Sequence, residues 1–575
     1  MKDIILVNPP FNSAEFPNLN LGLLKSILTK ENFQVKVLYA NLYLKRKIDS
    51  NLFEELCVMF NYNEIIEFLF SEWAFPEANE KQVIFEKKLR NKNESSINKI
   101  LDIKNILQKF LDEIINLIIE ESPKIVILHN NLKQLTASIA IINEIKKKDQ
   151  NITTVLFGYN ARIPLCEEIL KITSSIDYIF DSDPENDITS FCKDIINGKI
   201  INSRIIHPSS VANLDILPYP DYTDFYEQLN ILWFRYSGQI AFVESSRGCR
   251  NKGCIFCGFG NTCKSYIKKS PERLINELIF ISKEYNISEI HATDYIMPKN
   301  YPKKVFSNLN KLLTLKNIFY EVKPDLTIDE LIILKENFVN IIQAGIESLN
   351  DNLLKILNKK TTTINNLRFL RDCKSIDIEV YWNFIYGMPN DNRNDYIEII
   401  VDILPYITHL HPPANVRPIF IQKGSPIFEK AKKYGINNLR PYELYNYIFP
   451  NNTKIENIAL FYHGDYNNAF NDANLKKIFL NKIDLWQKLW KNKNKPVLRV
   501  FKNESKYFIE DTRSSIEKKY EINNESLELL KSLSIPKKSN NVDLTMSIQD
   551  LLEKKIILKI NDQYISLVEI NLKEG

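Results

Sequence analysis

The chain has 575 residues, 44% of them apolar and 25% charged. That is more than one hydrophobic core usually holds, and the composition is that of a folded protein rather than a disordered or fibrous one. With 75 Lys and Arg against 71 Asp and Glu, the net charge of +4 removes any global argument for nucleic acid or an acidic membrane surface as partner.

The N-terminus runs from Ile4-Ile-Leu-Val7 straight into Asn8-Pro9-Pro10, too short an apolar stretch for a signal peptide. No run approaches the roughly 18 residues of a membrane span. The eight cysteines are clustered rather than spread in pairs, so a reducing cytoplasm is the expected location.

Residues 1–210 read as strands alternating with helices. Strand-like runs are Asp3–Val7, Val35–Tyr39, Ile125–Leu128, Thr154–Phe157 and Tyr178–Phe180, with helices such as Leu21–Thr29 and Leu135–Lys147 between them. This alternation predicts an α/β fold with a parallel, doubly wound, Rossmann-like sheet. Ligands of such sheets sit beyond the carboxyl ends of the strands, here Asn8-Pro9-Pro10, Asn41, His129-Asn130-Asn131 and Gly158-Tyr159-Asn160. The aromatic and charged stretch of about residues 44–120 reads as a helical insertion.

Leu217-Pro-Tyr-Pro-Asp-Tyr222, within 208–224, is a proline-rich connection. Residues 211–470 comprise this linker and a repeated strand, loop, helix pattern. Its strands are Ile240–Val243, Glu289–Ala292, Ile318–Val322, Asn340–Ala344, Glu379–Ile385 and Val416–Ile421. Six such repeats predict a partial TIM-like (β/α)6 barrel with polar groups at its strand ends: Asp294, Glu321, Lys323, Glu347, Gly387 and Gln422. Residues 471–575 open with a helix carrying Trp486 and Trp490. Strands Val497–Phe501 and Tyr507–Asp511, helices near Glu525–Leu533 and Ser547–Lys554, and a hairpin Ile556–Val568 turning at Asn561-Asp562 follow. This pattern suggests a small winged-helix-like module that caps the barrel or holds a peptide by strand addition.

After the first barrel strand comes Glu244-Ser-Ser-Arg-Gly-Cys249-Arg-Asn-Lys-Gly-Cys254-Ile-Phe-Cys257-Gly258. Three thiols spaced C-x4-C-x2-C, with no fourth ligand at matching spacing, suit a [4Fe-4S] cluster that leaves one iron open. A zinc knuckle is the alternative and would need a fourth ligand such as Cys263.

The triplet, with Ser246-Arg-Gly-Cys249 and Phe256-Cys257-Gly258, resembles the cluster loop of the radical S-adenosylmethionine (SAM) superfamily, although C-x3-C-x2-C is the commonest spacing there. Val7-Asn8-Pro9-Pro10, Asn20-Leu-Gly22-Leu-Leu24, Phe157-Gly158 and Asp177-Tyr178 resemble the cobalamin-binding domain that precedes many radical SAM barrels. Phe319-Tyr-Glu-Val-Lys323, Gly345-Ile-Glu347-Ser-Leu349, Tyr381-Trp-Asn-Phe-Ile-Tyr-Gly387 and Leu410-His-Pro-Pro413 look like the family of radical SAM C-methyltransferases that mature ribosomally made peptides.

The resemblance implies three cofactors: a cluster on Cys249, Cys254 and Cys257, SAM, and cobalamin. It implies SAM contacts from Phe256, Gly258, Lys323, Glu347, Asn383, Gly387 and Arg417, with Lys323 or Arg417 on the carboxylate. Cobalamin would meet Asn8, Pro9, Asn130, Gly158 and Tyr159. The Asp-x-His-x-x-Gly motif that supplies a histidine to cobalt is absent, so His129 is not expected to be a ligand. The expected reaction is SAM cleavage to a 5′-deoxyadenosyl radical and C-methylation of a substrate peptide. An electron donor such as flavodoxin or ferredoxin would be a partner, with no nucleic acid or membrane. Other readings are action on a small molecule, for example aminocarboxypropyl transfer to arsenic, peptide modification without cobalamin, or a zinc-knuckle binding protein.

Overall fold

The computed structural model describes residues 2–58, 63–91, 94–232, 234, 239–250, 253–258, 265–514, 516–542 and 546–570. The chain divides into two compact units. One comprises Met1–Val243, Asn276–Ser288 and Arg440–Tyr462; the other comprises Glu244–Ile275, Glu289–Leu439 and His463–Gly575. The proline-rich connection falls in the first unit, and the described part of residues 471–575 falls in the second.

The first unit is built on a six-stranded parallel sheet. Its strands are β1 Ile4–Val7, β2 Val35–Leu38, β3 Ile125–His129, β4 Thr153–Phe157, β5 Tyr178–Phe180 and β6 Ile205–Ile206, in the order β2-β1-β3-β4-β5-β6. β1 and β3 are buried along their whole length, which is why these segments read as continuous apolar runs and not as alternating ones. Helix α1, Leu19–Lys30, is capped by the Asn18 side chain, which accepts from the Leu21 N–H. The insertion is helical and ends in α2, Lys104–Glu120, which buries Leu107, Phe110, Leu111, Ile114, Ile115 and Ile118 on one face. The strand order reverses between β1 and β3, so their carboxyl ends flank a topological switch point.

The proline-rich connection is fastened to this unit. Lys25 on α1 lies 3.2 Å from Asp221 and 2.9 Å from Asp224. Asp224 and Gln228 bond the backbone of Val37 and Tyr39, so their side chains satisfy the open edge of β2.

In the second unit, β10 Glu289–Ala292, β11 Asn317–Val322, β12 Ile341–Ala344 and β13 Glu379–Tyr381 run parallel as consecutive neighbours, after short strands β8 Ser246–Arg247 and β9 Ile267–Lys268; the strand Ile240–Val243, β7, belongs to the first unit. Two further strands, β14 Asn383–Tyr386 and β15 Asn415–Pro418, pair with each other. Ile290, Ala292, Tyr320, Val322, Ile342, Ala344 and Val380 are buried on one face. His291, Phe319, Glu321, Ile341, Gln343 and Tyr381 occupy the alternate positions and stay more open. The register puts His291 beside Phe319 and Ile341, and Glu321 beside Gln343 and Tyr381. This is a partial (β/α) barrel whose accessible face carries the polar groups.

Two strands expected to be continuous are split. Glu379–Ile385 breaks at Trp382, whose indole donates to the His411 carbonyl (2.9 Å) and whose own carbonyl accepts from Ala414. Val416–Ile421 ends at Pro418 and resumes at Ile421.

Residues 471–575 begin with a helix, Ala473–Lys491, whose Trp486 and Trp490 donate to the carbonyls of Leu410 and Thr408. An antiparallel sheet contains Leu498–Asn503, Lys506–Asp511 and an unforeseen strand, Lys518–Ile522. Helix Asn524–Ser532, helix Met546–Glu553 and hairpin Ile557–Ile560/Gln563–Ser566 follow, the hairpin turning where expected. Arg371 donates to the carbonyls of Ser534 and Ser566, and His409 bonds that of Leu567. These buried bonds hold the module on the barrel.

Candidate active site

The cysteines lie on a loop closed at its neck. β8 pairs antiparallel with β9, which closes the neck of the segment that carries the three cysteines. Just before it, the Ser245 N–H and hydroxyl and the Ser246 hydroxyl all bond the buried Asp294 carboxylate at the end of β10. Burial pushes Asp294 up to about 6, against those hydrogen bonds.

Further out, the Ile255 N–H donates to the Leu357 carbonyl (3.2 Å), and the Ile255 carbonyl accepts from the Ile427 N–H (2.9 Å). Asn358 Nδ2 donates to the Gly253 carbonyl (2.7 Å). A Cβ at Gly258 would lie 2.9 Å from both Gln422 Cδ and the Lys423 carbonyl oxygen, so only glycine fits there. Cys249, Cys254 and Cys257 are half-buried on this anchored loop. Cys263, the fourth thiol a zinc site would use, lies outside the described residues, among which no three His, Cys, Asp or Glu are grouped to hold a metal ion.

A buried cation sits beside the thiols. The Lys359 ammonium lies 3.4 Å from Glu347 Oε1 at the end of β12. Burial opposes the charge on Lys359, but Glu347, Cys254 and Cys249 outweigh it and raise its pKa. Burial pushes the Cys254 thiol up and Lys359 pulls it back toward the thiolate. Glu347 has φ +64° while remaining buried, and its carbonyl accepts from the Ile385 N–H. An L-residue tolerates that conformation only where its surroundings impose it. One strand away, burial and then the charges of Glu347 and Asp294 push Glu321 up to about 7. Asp294, Glu321 and Glu347 thus lie at or near the ends of three consecutive strands; Lys359 pairs with Glu347 and also acts on Glu321, while Asp294 is held by Ser245 and Ser246.

Of the SAM contacts expected from sequence, Glu347 and Arg417 share this environment. Burial lowers the Arg417 pKa and Glu347 opposes the shift. Lys323 lines a cavity of about 200 Å³ that Gly345, Lys359, Lys360 and Arg368 also line, and the cation paired with Glu347 is Lys359. Asn383 accepts from Asn415 Nδ2 (3.1 Å) and opens the second half of the broken strand. The Gly387 N–H is donated to the Tyr396 hydroxyl and its carbonyl accepts from Tyr466, so this backbone is held by protein groups. Phe256 is half-buried and Gly258 buried on the cysteine loop.

Sequence reasoning missed Lys359. Its only signal was its place in Asn358-Lys-Lys-Thr361 between two helices, which equally describes a solvated loop.

In the first unit, Asn8, Pro9, Asn130, Gly158 and Tyr159 all fall at the carboxyl edge of the sheet. Asn18 Nδ2 donates to Asn8 Oδ1 and faces His129 Nδ1 (2.9 Å), while Asn20 Nδ2 lies 3.0 Å from His129 Nε2. Both ring nitrogens are therefore engaged, and burial pulls His129 down to about 4. Gln134 donates to the Pro9 carbonyl, and Asn130 to that of Asn160. Gly158 has φ +122°, and a Cβ there would meet the Asn130 carbonyl oxygen at 2.5 Å; the glycine serves packing between loops. At this edge, among the described residues, four buried carboxamide atoms have no hydrogen-bond partner: Asn8 Nδ2, Asn41 Oδ1, Asn130 Oδ1 and Asn160 Oδ1. Both donors and acceptors are among them, which fits a ligand rich in amides, as cobalamin is.

Residues 243–403 match the radical SAM superfamily. An uncharacterized methyltransferase of Pyrococcus horikoshii is 26% identical over 207 residues, covering 35% of this chain and 43% of that protein. The chain spans about half the length of the curated relatives it matches. Among solved structures, the cobalamin-dependent S-adenosylmethionine radical enzyme OxsB, with aqua-cobalamin and S-adenosylmethionine bound, aligns with a TM-score of 0.56 at 14% identity, covering 86% of this chain and 69% of that one. The radical S-adenosylmethionine methyltransferase TsrM from Kitasatospora setae, with tryptophan and a SAM analog bound, gives 0.52 at 13% identity, covering 84% and 88%. The chain thus carries a radical SAM domain, which implies a [4Fe-4S] cluster and SAM, on a fold like that of cobalamin-dependent radical SAM enzymes.

Proposed function

We propose that the protein is a cobalamin-dependent radical SAM C-methyltransferase whose substrate is a ribosomally made peptide. The observation that carries the reading is the grouping of Lys359 with Glu347 and Glu321, two adjacent strand ends, beside Cys254 and Cys249. SAM carries an ammonium, a carboxylate, a sulfonium and a ribose, and this set offers carboxylates and a cation within one buried space.

Cys249, Cys254 and Cys257 would hold the cluster. Glu321 and Glu347 would take the ammonium and ribose hydroxyls, and Lys359 with Arg417 the carboxylate. Asp294 would fix the neck of the cysteine loop through Ser245 and Ser246. The accessible barrel face, with His291, Phe319, Gln343 and Tyr381, would orient substrate and exclude water. Asn8, Asn41, Asn130 and Asn160 would bond the amide groups of cobalamin. When bound, the cluster with SAM supplies hydrogen-atom abstraction from an unactivated carbon and cobalamin supplies a transferable methyl group. The OxsB and TsrM folds and the relative named a methyltransferase support methyl transfer.

The test is anaerobic reconstitution with iron and sulfide, then dithionite and SAM, with 5′-deoxyadenosine read by mass spectrometry. None formed on a fully loaded cluster would sink the reading. Protein produced with cobalamin supplied is expected to retain a corrinoid spectrum; without it, peptide modification independent of cobalamin takes its place.

A further inference from the structure

Beyond the ends of β11 and β12, the cavity of about 200 Å³ is lined by Lys323, Asp325, Gly345, Lys359, Lys360 and Arg368. Two of these cations are matched by protein carboxylates. Lys359 pairs with Glu347 (3.4 Å), and Arg368 donates to Asp372 (2.9 Å) and to the Leu326 carbonyl. The other two are not matched: half-buried Lys323 and exposed Lys360 make no ion pair or side-chain hydrogen bond among the described residues, and neither does Asp325, the carboxylate on the wall. Two lysines against one aspartate leave a single positive charge without a partner in a partly enclosed space. Bare backbone adjoins it, because a Cβ at Gly345 would lie 3.0 Å from Lys359 Nζ and press on the ammonium. The volume is below the roughly 300–1,000 Å³ of a site that encloses a whole ligand, so the cavity takes one group of a larger molecule.

We infer that this cavity is a subsite for a carboxylate of the substrate, an Asp or Glu side chain close to the modified residue of the peptide. The inference deepens the proposed function and rests on it. A carboxylate is a monoanion and balances the one unmatched charge, whereas a phosphate dianion leaves the pocket negative beside Asp325. Lysine ammoniums offer donors and no acceptor, which suits a group whose two oxygens only accept. The seat is next to the proposed chemistry, since Lys359 forms part of its wall and pairs with Glu347 at the strand end. An acidic residue held there fixes the position of its neighbours in the peptide, so binding energy away from the reacting carbon orients that carbon.

The experiment uses the full chain with its cluster reconstituted and no reductant, titrated in a calorimeter at low salt with and without SAM. The probes are acetyl-Ala-Glu-Ala-amide, its Gln counterpart and inorganic phosphate. The parent with SAM is expected to bind the Glu peptide at least about tenfold more tightly than the Gln peptide. Lys323→Gln combined with Lys360→Gln is expected to abolish that preference. Asp325→Asn is expected to tighten the Glu peptide about threefold, a gain that no loss of folding can imitate. Iron content and urea midpoint at the parent level show that the variants are folded and loaded, and Lys518→Gln on the C-terminal sheet is the control that keeps the preference. Equal binding of the two peptides by the parent overturns the inference, and so does a preference that survives in the double variant. Phosphate bound more tightly than the Glu peptide overturns the assignment to a carboxylate. A preference that disappears when SAM is added overturns it too, because the cavity then holds the carboxylate of SAM itself. The proposed function fails on a separate readout, the absence of 5′-deoxyadenosine from the dithionite-treated parent, which leaves the peptide preference where it was measured.

Discussion

Lys359 Nζ stands 3.4 Å from Glu347 Oε1, and each side chain is only 11% exposed. The pair joins a strand end of the barrel to the segment that grips the cysteine loop. Removing one member leaves the other charge buried, at a cost of about 3–5 kcal/mol. Lys359→Met is expected to lower the urea midpoint and weaken SAM binding at least about tenfold by calorimetry, since about 1.4 kcal/mol suffices for that factor. Lys359→Arg keeps the charge and is expected to recover most of the stability. An unchanged SAM affinity in Lys359→Met would remove this residue from the site.

The cysteines separate into two kinds. Cys254→Ala is expected to lose most of the reconstituted iron and all 5′-deoxyadenosine formation. Cys166→Ala is expected to change neither, because burial holds that thiol up at about 11, where it is protonated and a poor ligand. Iron analysis of the two variants side by side decides the point.

Glu321 is held near 7 by burial and by the neighbouring carboxylates Glu347 and Asp294. If its ionised form receives the SAM ammonium, affinity rises as pH goes from about 6 to about 8, and Glu321→Gln flattens the profile. A parent profile that is flat or inverted over that range contradicts the assignment.

Three histidines are buried neutral. His129 is pulled down to about 4, and His409 and His411 to about 3, chiefly by burial. A depressed pKa gives stability that is complete above the unfolded value of about 6.5 and lost as pH falls toward the folded value. By that linkage the stability lost at the acid limit is roughly 3 kcal/mol for His129 and roughly 5 kcal/mol for each of His409 and His411. Asp294, raised to about 6, has the opposite sign: its contribution is present at low pH and lost as pH rises through about 6. Urea midpoints are therefore expected to fall below pH 6.5, and His409→Gln to reduce the slope.

His129 has both ring nitrogens turned to Asn18 and Asn20. His129→Gln is expected to leave the electron paramagnetic resonance spectrum of bound cob(II)alamin unchanged, without nitrogen splitting from the protein. A nitrogen coupling that disappears in the variant would show that the histidine reaches cobalt.

The sequence by itself determined the alternation of strands and helices, nearly to the residue in β1 to β5, because buried parallel strands must be continuously apolar and the segments between them must cover both faces. It also determined the three-thiol loop, since ligand spacing is local. Register, and with it the grouping of Asp294, Glu321 and Glu347, was decided by the tertiary structure. So was the identity of the counter-ion of Glu347: Lys359 and Lys360 are indistinguishable as letters, and only the fold buries one against Glu347 and leaves the other in solvent. The break at Trp382 has the same origin, because an indole buried to bond the His411 carbonyl takes its place from packing between distant segments, which no local pattern encodes.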